Sequence, residues 1–253
     1  GIGTDMCNII LARKDAPNFA SPAEAIKWLD GKQVATPKGA CSDRFAQAVF
    51  KKQGVQPKDY LNQNIEVITS NFRAGKIDAA IIWEPTASRL VEEGLAKRVA
   101  SGVNGGESDA AFLAMRADLI KARPDIVKAW LNAELDAQLY LADEKNAPEV
   151  AKIIGEQTTG FSGKVLWKSI YGEYSANEGG IKTRLVTPFG FTPDTLDLLA
   201  KASEFLFSIK SINAPKMRPE AVMGEFTEQI LKERKLTAPV GDVTTLPDAQ
   251  APK

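Results

Sequence analysis

Histidine is absent from this sequence. With none among its 253 residues, the chain has no Ser-His-Asp or Cys-His nucleophile, no histidine general base and no HExxH zinc site. The formal net charge is zero, because 32 Lys and Arg residues balance 32 Asp and Glu residues. No basic excess is left to neutralise a row of phosphates, so we expect no nucleic-acid partner. The longest apolar runs are far shorter than the ~20 residues that a membrane-spanning helix needs.

Cysteine is scarce, since Cys7 and Cys41 are the only two. They are too few for a disulfide scaffold and lack metal-ligand spacing, so the sequence favours two small buried thiols. A bridge between them would need Cα atoms within ~7 Å, which the sequence leaves open. We expect no metal and no cofactor. Because the chain opens without an initiator Met or a signal peptide, we also expect a processed or truncated product.

Length and composition indicate a globular α/β protein. A chain of 253 residues forms one large domain or two lobes, and 44% apolar with 25% charged residues is typical of folded proteins. Strands are predicted over 8–12, 33–36, 65–68 and 79–83, and helices over 21–30, 43–53, 70–75 and 85–93. This alternation predicts βαβ units and a mostly parallel sheet, with ligand sites at the carboxyl ends of its strands.

The second half of the chain has a different pattern. A flexible glycine-rich link over 102–106 precedes a predicted strand over 110–115. Helical patterns then cover 117–142, 148–156, 163–174, 193–209 and 219–235. Pro124 is expected to divide the first of these into two helices. The sequence therefore predicts an α/β half followed by a mainly helical half.

The first candidate site is the segment 31–43. A strand runs into a glycine loop and directly into a helix, so free backbone N–H groups and the positive end of the helix dipole lie at the strand's carboxyl end. Such a turn holds an anionic head group. Gly39 allows close approach, and Cys41 and Ser42 supply short side chains. The alternative is an ordinary turn in which Ser42 caps its own helix and the Asp43 carboxylate partly satisfies the dipole.

The second candidate site follows the next buried strand, which ends in Trp83, Glu84 and Pro85. In an open parallel sheet this end faces the same crevice as the glycine loop. Trp83 can wall an apolar group, and Glu84 can accept from a hydroxyl, an ammonium or an arginine. Alternatively, Trp83 belongs to the core and Glu84 caps the following helix.

Two segments together carry a recognisable pattern. One reads Asp30-Gly-Lys-Gln-Val-Ala-Thr-Pro-Lys-Gly-Ala40, and the other reads Gly75-Lys-Ile-Asp-Ala-Ala-Ile-Ile-Trp-Glu-Pro85. In this order and at this interval they resemble the nitrate/sulfonate/taurine-type substrate-binding proteins of ABC importers. The segments 111–116 and 124–130 are similar to that family's return into its first lobe. The resemblance covers roughly residues 8–130.

The resemblance implies a periplasmic-binding-protein-like fold: two α/β lobes, each a mixed, mostly parallel sheet flanked by helices, joined by a two-segment hinge. Residues 1–32 would end the first lobe and carry the first hinge strand. Residues 33–103 would form the second lobe, and 104–253 would carry the second hinge strand and the helical rest of the first lobe. Nothing in this chain matches the amino-terminal portion of the family's mature chain.

The resemblance also implies ligand-binding residues. When the family's roles are carried over by position, the residues that hold the anion are Gly39, Ala40, Cys41 and Ser42. Trp83 and Glu84 would line the cleft, and the hinge strands would contribute Thr4, Asp5 and Asp109. No catalytic residue and no metal ligand is implied.

The implied function is binding without a reaction. We expect a monomeric, extracytoplasmic protein, periplasmic or lipid-anchored, that captures a small anionic or polar solute such as a sulfonate, nitrate or a carboxylate. It would deliver this solute to the permease of an ABC importer. One alternative is an enzyme on the same fold, of the desulfinase or pyrimidine-synthase type, whose chemistry uses histidine. Another is a ligand-sensing regulatory domain.

Overall fold

The computed structural model describes residues 1–252 and divides the chain into two compact units. The first unit contains Gly1–Ile2, Ala110–Ala147 and Leu185–Thr244, and the second contains Gly3–Asp109, Pro148–Arg184 and the segment from Thr245. The strands are β1 Ile2–Gly3, β2 Ile9–Arg13, β3 Gln33–Thr36, β4 Asp59–Asn62, β5 Ala79–Ile82, β6 Ala96–Ser101, β7 Asp109–Ala110, β8 Thr183–Thr187 and β9 Gly241–Thr244. The helices are α1 Pro22–Trp28, α2 Cys41–Gln53, α3 Ile65–Arg73, α4 Thr86–Glu92, α5 Gly102–Gly105, α6 Ala117–Ala122, α7 Pro124–Ala142, α8 Ala147–Gln157, α9 Gly163–Tyr171, α10 Pro193–Ser208 and α11 Glu225–Arg234.

The second unit is built on a mixed five-stranded sheet in the order β4-β3-β5-β2-β6. Strand β3 pairs in parallel with β4 and β5, whereas β2 pairs antiparallel with β5 and β6. Ile10 and Ala12 pack into one core cluster, and Ile9 and Leu11 pack into another. Alternate residues of a strand point to opposite faces, so β2 is covered on both sides.

The bounds of the second unit differ from the predicted ones. The sequence assigns residues 1–32 to the first lobe, but β2 and α1 lie in the second unit together with 33–103. The reason is that the backbone of β2 is hydrogen-bonded between β5 and β6. Residues 148–184 also belong to this unit, where α9 packs against α4. Lys253, which ends the third predicted segment, lies outside the described residues.

Helix caps explain where the elements of the second unit begin and end. Ser21 caps α1 by accepting from the Glu24 N–H, and Gly54 ends α2 with a positive φ of 66°, as predicted. The predicted strand over 65–68 is wrong. These residues form the first turn of α3, because Asn64 accepts from the Val67 N–H at 2.9 Å and caps the helix. Strand β4, polar and at the sheet edge, was not predicted.

The predicted glycine-rich link is also wrong, since residues 102–105 form the short helix α5 after the unpredicted strand β6. Its first glycine has a steric role. A Cβ on Gly102 would collide with the carbonyl oxygens of Thr4 and Glu107. A close approach of backbone to backbone therefore requires glycine at this position.

The first unit contains the strand β9 and the helices α6, α7, α10 and α11. The other described sheet has four strands in the order β7-β1-β8-β9. Pro124 begins α7 and separates it from α6, as predicted. A core cluster of Leu135, Phe189 and Ile230 lies in this unit. No described helix combines the length and the apolar character needed to cross a bilayer.

The apolar run over 110–115 is predicted to be a strand, and the structure differs. Strand β7 ends at Ala110, and the residues after it have no strand partner among the described residues. Phe112 and Leu113 are 41% and 49% exposed. The run borders a cavity of about 590 Å³ within the first unit, whose other apolar lining residues include Phe189, Phe191, Met217 and Phe226. The predicted strand over 110–115 is therefore wrong beyond Ala110.

We expect Asn64→Ala to lower the free energy of unfolding by about 1 kcal/mol, because it removes the acceptor for the first-turn N–H of α3. Asn64→Asp keeps an acceptor and should stay within about 0.5 kcal/mol of wild type. Asn177→Ala, at an exposed position, is the matched control. Urea unfolding followed by circular dichroism measures all three variants. Equal stability of Asn64→Ala and wild type would contradict the cap.

Candidate functional site

The loop after β3 presents backbone N–H groups as the sequence predicts. Gly39 has a positive φ of 85°, and the N-cap residue of α2 is Ala40, whose side chain offers no acceptor. The N–H groups of Cys41 and Ser42 donate to no described residue. These two donors, with the helix dipole behind them, are the part of the loop available to an anion.

The other polar groups of this loop are already engaged. The buried carboxylate of Asp43 accepts from the Gly39 N–H at 2.8 Å, from the Tyr60 hydroxyl at 2.6 Å and from the Gln47 side-chain amide at 2.9 Å. The Ser42 hydroxyl lies 2.9 Å from that of Thr36 and does not cap α2. Asp43 therefore compensates part of the helix dipole, as the alternative interpretation expects. Ser42 does not cap its own helix, contrary to that interpretation.

Cys41 forms a disulfide with Cys7, and their Cα atoms are 6.2 Å apart. The preference for two buried thiols is therefore wrong, because the fold brings two segments 34 residues apart in sequence within bonding range. A carboxylate oxygen of Asp109 lies within 4.8 Å of both sulfur atoms. The same carboxylate is 3.5 Å from the Arg44 guanidinium. Two predicted site residues, Cys41 and Asp109, thus come together at the start of α2.

Two other predicted site residues, Asp5 and Glu84, lie in a second group. Asp5 is 3.1 Å from Arg98 Nη2 and 2.8 Å from Arg184 Nε. Glu84 lies 3.6 Å and 3.8 Å from the same two guanidinium groups. All four side chains are at most 3% exposed. We call these four residues the buried ion cluster. An isolated charge at this depth is costly, so each carboxylate needs these partners.

Glu84 also caps α4. Its carboxylate accepts from the N–H and the hydroxyl of Ser88, both at 3.0 Å. The Tyr174 hydroxyl lies 2.8 Å from the Ser88 hydroxyl, and its ring lies 3.9 Å from the Arg98 guanidinium carbon. These contacts agree with the alternative in which Glu84 caps the following helix. Trp83 is half-buried, and its contact with a ligand stays a prediction.

The sequence did not point to Arg98 or Arg184. They lie in the strands β6 and β8, neither of which was predicted, and both are remote from Asp5 along the chain. No local pattern marks an arginine that pairs at such a separation. Thr4, the remaining predicted residue, accepts from the Gly102 N–H through its carbonyl at 2.8 Å. Its buried hydroxyl has no hydrogen-bond partner among the described residues.

Comparison with known proteins assigns the chain to a family. The family model for NMT1-like proteins matches residues 7–155, more than half of the sequence. The chain belongs to the NMT1-like family. The matched region contains the loop before α2, the disulfide and the segment with Trp83 and Glu84, whereas Thr4, Asp5 and Arg184 lie outside it.

A curated relative and two solved structures are similar to this chain. The taurine-binding periplasmic protein of Escherichia coli (strain K12) is 26% identical over 140 residues, which span 50% of this chain and 43% of the relative. The alignment thus covers less than half of that relative's length. The alkanesulfonate-binding protein SsuA from Xanthomonas axonopodis pv. citri, bound to MOPS, has a TM-score of 0.61 at 17% identity over 88% of this chain and 73% of its own.

The second structure is a mutant of DSZB in complex with biphenyl-2-sulfinic acid, with a TM-score of 0.64 at 16% identity over 92% of this chain and 78% of its own. At these identities the likeness shows the fold alone. It confirms the predicted periplasmic-binding-protein-like α/β fold.

Glu84 is expected to make stability depend on pH. Burial raises its pKa above the ordinary 4.5, against the opposing effects of Arg184 and Arg98. A carboxyl group with a higher pKa in the folded state binds its proton more tightly there. Its contribution to stability is therefore fully present below pH 4.5 and is lost as the pH rises through the folded pKa.

Glu84→Gln cannot titrate and serves as the reference for this effect. We expect the free energy of unfolding of wild type minus that of the variant to fall as pH rises from about 4 to about 8. Urea unfolding across this range measures the difference. A difference that stays constant or rises with pH would contradict the assignment.

Asp5→Ala should lower the free energy of unfolding by about 3–5 kcal/mol, because it leaves Arg98 and Arg184 short of a buried counter-charge. Asp15→Ala is the matched control, since Asp15 pairs with Arg13 at the surface and such pairs contribute at most about 1 kcal/mol. Thermal and urea unfolding measure both variants. Similar losses for the two would show that the buried ion cluster does not require Asp5.

Proposed function

We propose that this chain is the solute-binding component of an ABC importer. It captures a small anionic solute, such as a sulfonate, nitrate or a carboxylate, outside the cytoplasm and delivers it to a membrane permease. It acts as a monomer, periplasmic or lipid-anchored. The observation that carries the proposal is the pair of N–H groups on Cys41 and Ser42, which have no described partner and start a 13-residue helix inside the family match.

The chemistry of this loop suits a small anion. Anion oxygens accept hydrogen bonds from first-turn N–H groups, and the helix dipole favours negative charge there. Gly39 has no Cβ to block the approach, whereas the Ala40 N–H already donates to the Pro37 carbonyl at 3.3 Å. Lys38 is exposed beside the loop and supplies a nearby positive charge. With two free donors and no unpaired arginine described next to them, the site fits a compact head group.

The remaining predicted residues take different roles in the proposal. Trp83 walls the site, and Asp109 borders it next to the disulfide. For Thr4, Asp5 and Glu84, burial and the contacts described above support a positioning role instead of direct contact with the solute. The curated relative's name, which specifies taurine, supports a sulfonate as the first solute to test.

Binding is favoured over catalysis by the residues present. The chain has no histidine, and Cys7 and Cys41 are bridged, so neither supplies the thiolate that a cysteine nucleophile requires. The likeness to DSZB makes a desulfinase the second candidate. Turnover of biphenyl-2-sulfinate by the purified protein distinguishes the two, because a binding protein leaves it unchanged.

Titration calorimetry with taurine, ethanesulfonate, nitrate and acetate tests the proposed function. We expect at least one to bind wild type at 1:1 and Ala40→Asp to raise its Kd by about tenfold or more, which corresponds to ~1.4 kcal/mol. The new carboxylate accepts from the same first-turn N–H groups and excludes the anion. Because Asp is a good N-cap residue, the melting temperature should not fall.

Ala40→Gly is the matched control, since it adds no acceptor and should leave the Kd within about threefold of wild type. Failure of all four solutes to bind wild type would overturn the proposed function. An unchanged Kd in Ala40→Asp would place the solute away from the α2 loop.

A further inference from the structure

The Cys7–Cys41 disulfide joins the first residue of α2 to the segment between β1 and β2 in the second unit. Cys7 follows Met6, whose carbonyl accepts from the Glu84 N–H at 2.9 Å, and precedes the fully buried Asn8. The backbone around Cys7 is therefore held on both sides. Through the sulfur–sulfur bond, this packed segment limits where Cys41 can move.

The other contacts of the loop between β3 and α2 join it to different parts of the structure. The Lys38 N–H donates to the Asn62 side chain at 3.0 Å, and the Gly39 N–H donates to Asp43 at 2.8 Å. These bonds tie the loop to β4 and to its own helix. Among the contacts described, the disulfide is the one that ties the start of α2 to the segment around Cys7.

We propose that Cys7, acting through this disulfide, is a positioning residue for the anion site. It holds the N–H groups of Cys41 and Ser42 in the orientation that the anion needs and so sets the affinity. The first turn of a helix opens more readily than its middle. Donors that are already ordered bind without the cost of ordering them. The inference rests on the proposed function and adds the residue that governs affinity at that site.

The cross-link can be removed without mutation, since both cysteines are half-buried and not enclosed. A dithiol reduces the bridge in two exchange steps. The sulfur–sulfur bond breaks, the dithiol closes to a cyclic disulfide, and its two hydrogens pass to the sulfur atoms of Cys7 and Cys41. The freed Cys41 thiol then sits at a helix N-terminus, and its thiolate form would occupy the donors that the anion uses. Both consequences weaken anion binding.

The test compares oxidised wild type, wild type with dithiothreitol, Cys7→Ser, Cys41→Ser and the double variant. Each is titrated with whichever of taurine, ethanesulfonate, nitrate and acetate binds wild type most tightly. We expect Cys7→Ser to raise the Kd by about tenfold or more, with 1:1 stoichiometry retained. The double variant should be no weaker than Cys7→Ser alone, because both substitutions remove one cross-link. Dithiothreitol should raise the Kd of wild type and not that of the double variant.

Melting temperatures measured in parallel separate positioning from simple stabilisation. A lower melting temperature with a Kd within about twofold of wild type would overturn the inference, because the bridge would then be only structural. A much larger loss in Cys41→Ser than in Cys7→Ser would also overturn it, since the sulfur of Cys41 would itself contact the solute.

Iodoacetamide labelling followed by intact-mass measurement tests the bridge directly. Two labels on wild type without reductant would overturn the inference. Oxidised wild type that binds none of the four solutes overturns the proposed function and this inference with it. Oxidised wild type that binds, with a Kd insensitive to reductant and to Cys7→Ser, overturns this inference alone.

Discussion

Burying charge is the constraint on which most of the second unit depends. Asp5, Glu84, Arg98 and Arg184 are almost fully enclosed, and each is tolerable only because opposite charges lie within about 4 Å. These four residues come from separate parts of the chain: the amino-terminal segment, the start of α4, β6 and β8. Their ion pairs therefore hold these parts of the chain together. The cap that Glu84 provides for α4 follows from the same arrangement.

The carboxylate of Asp43 shapes the proposed site by engaging the polar groups around it. Asp43 accepts three hydrogen bonds, one of them from the Gly39 N–H, while the N–H groups of Cys41 and Ser42 have no partner among the described residues. The neighbouring disulfide holds the same turn from the other side. Together these features favour a compact anion at the proposed site over an extended phosphate group.

Local signals predicted some elements well and misassigned others. Ser21 with Pro22 marked the start of α1, and Gly54 marked the end of α2, because caps depend on residues a few positions apart. The run from Ile65 to Ile68 was read as a strand, although Asn64 before it is a good N-cap residue. A short apolar run fits either structure, and the capping bond decided it. Strands β4, β6, β8 and β9 lacked a pattern strong enough to predict them.

The sequence by itself determined the glycine loop between β3 and α2 and the order of the two family segments. Each of these depends on residue types and on neighbours along the chain. Only the tertiary structure decided that Cys7 bonds Cys41, that β2 lies between β5 and β6, and that Asp5 pairs with Arg98 and Arg184. These features depend on distances between residues far apart in sequence, which packing and charge burial set only when the chain is folded.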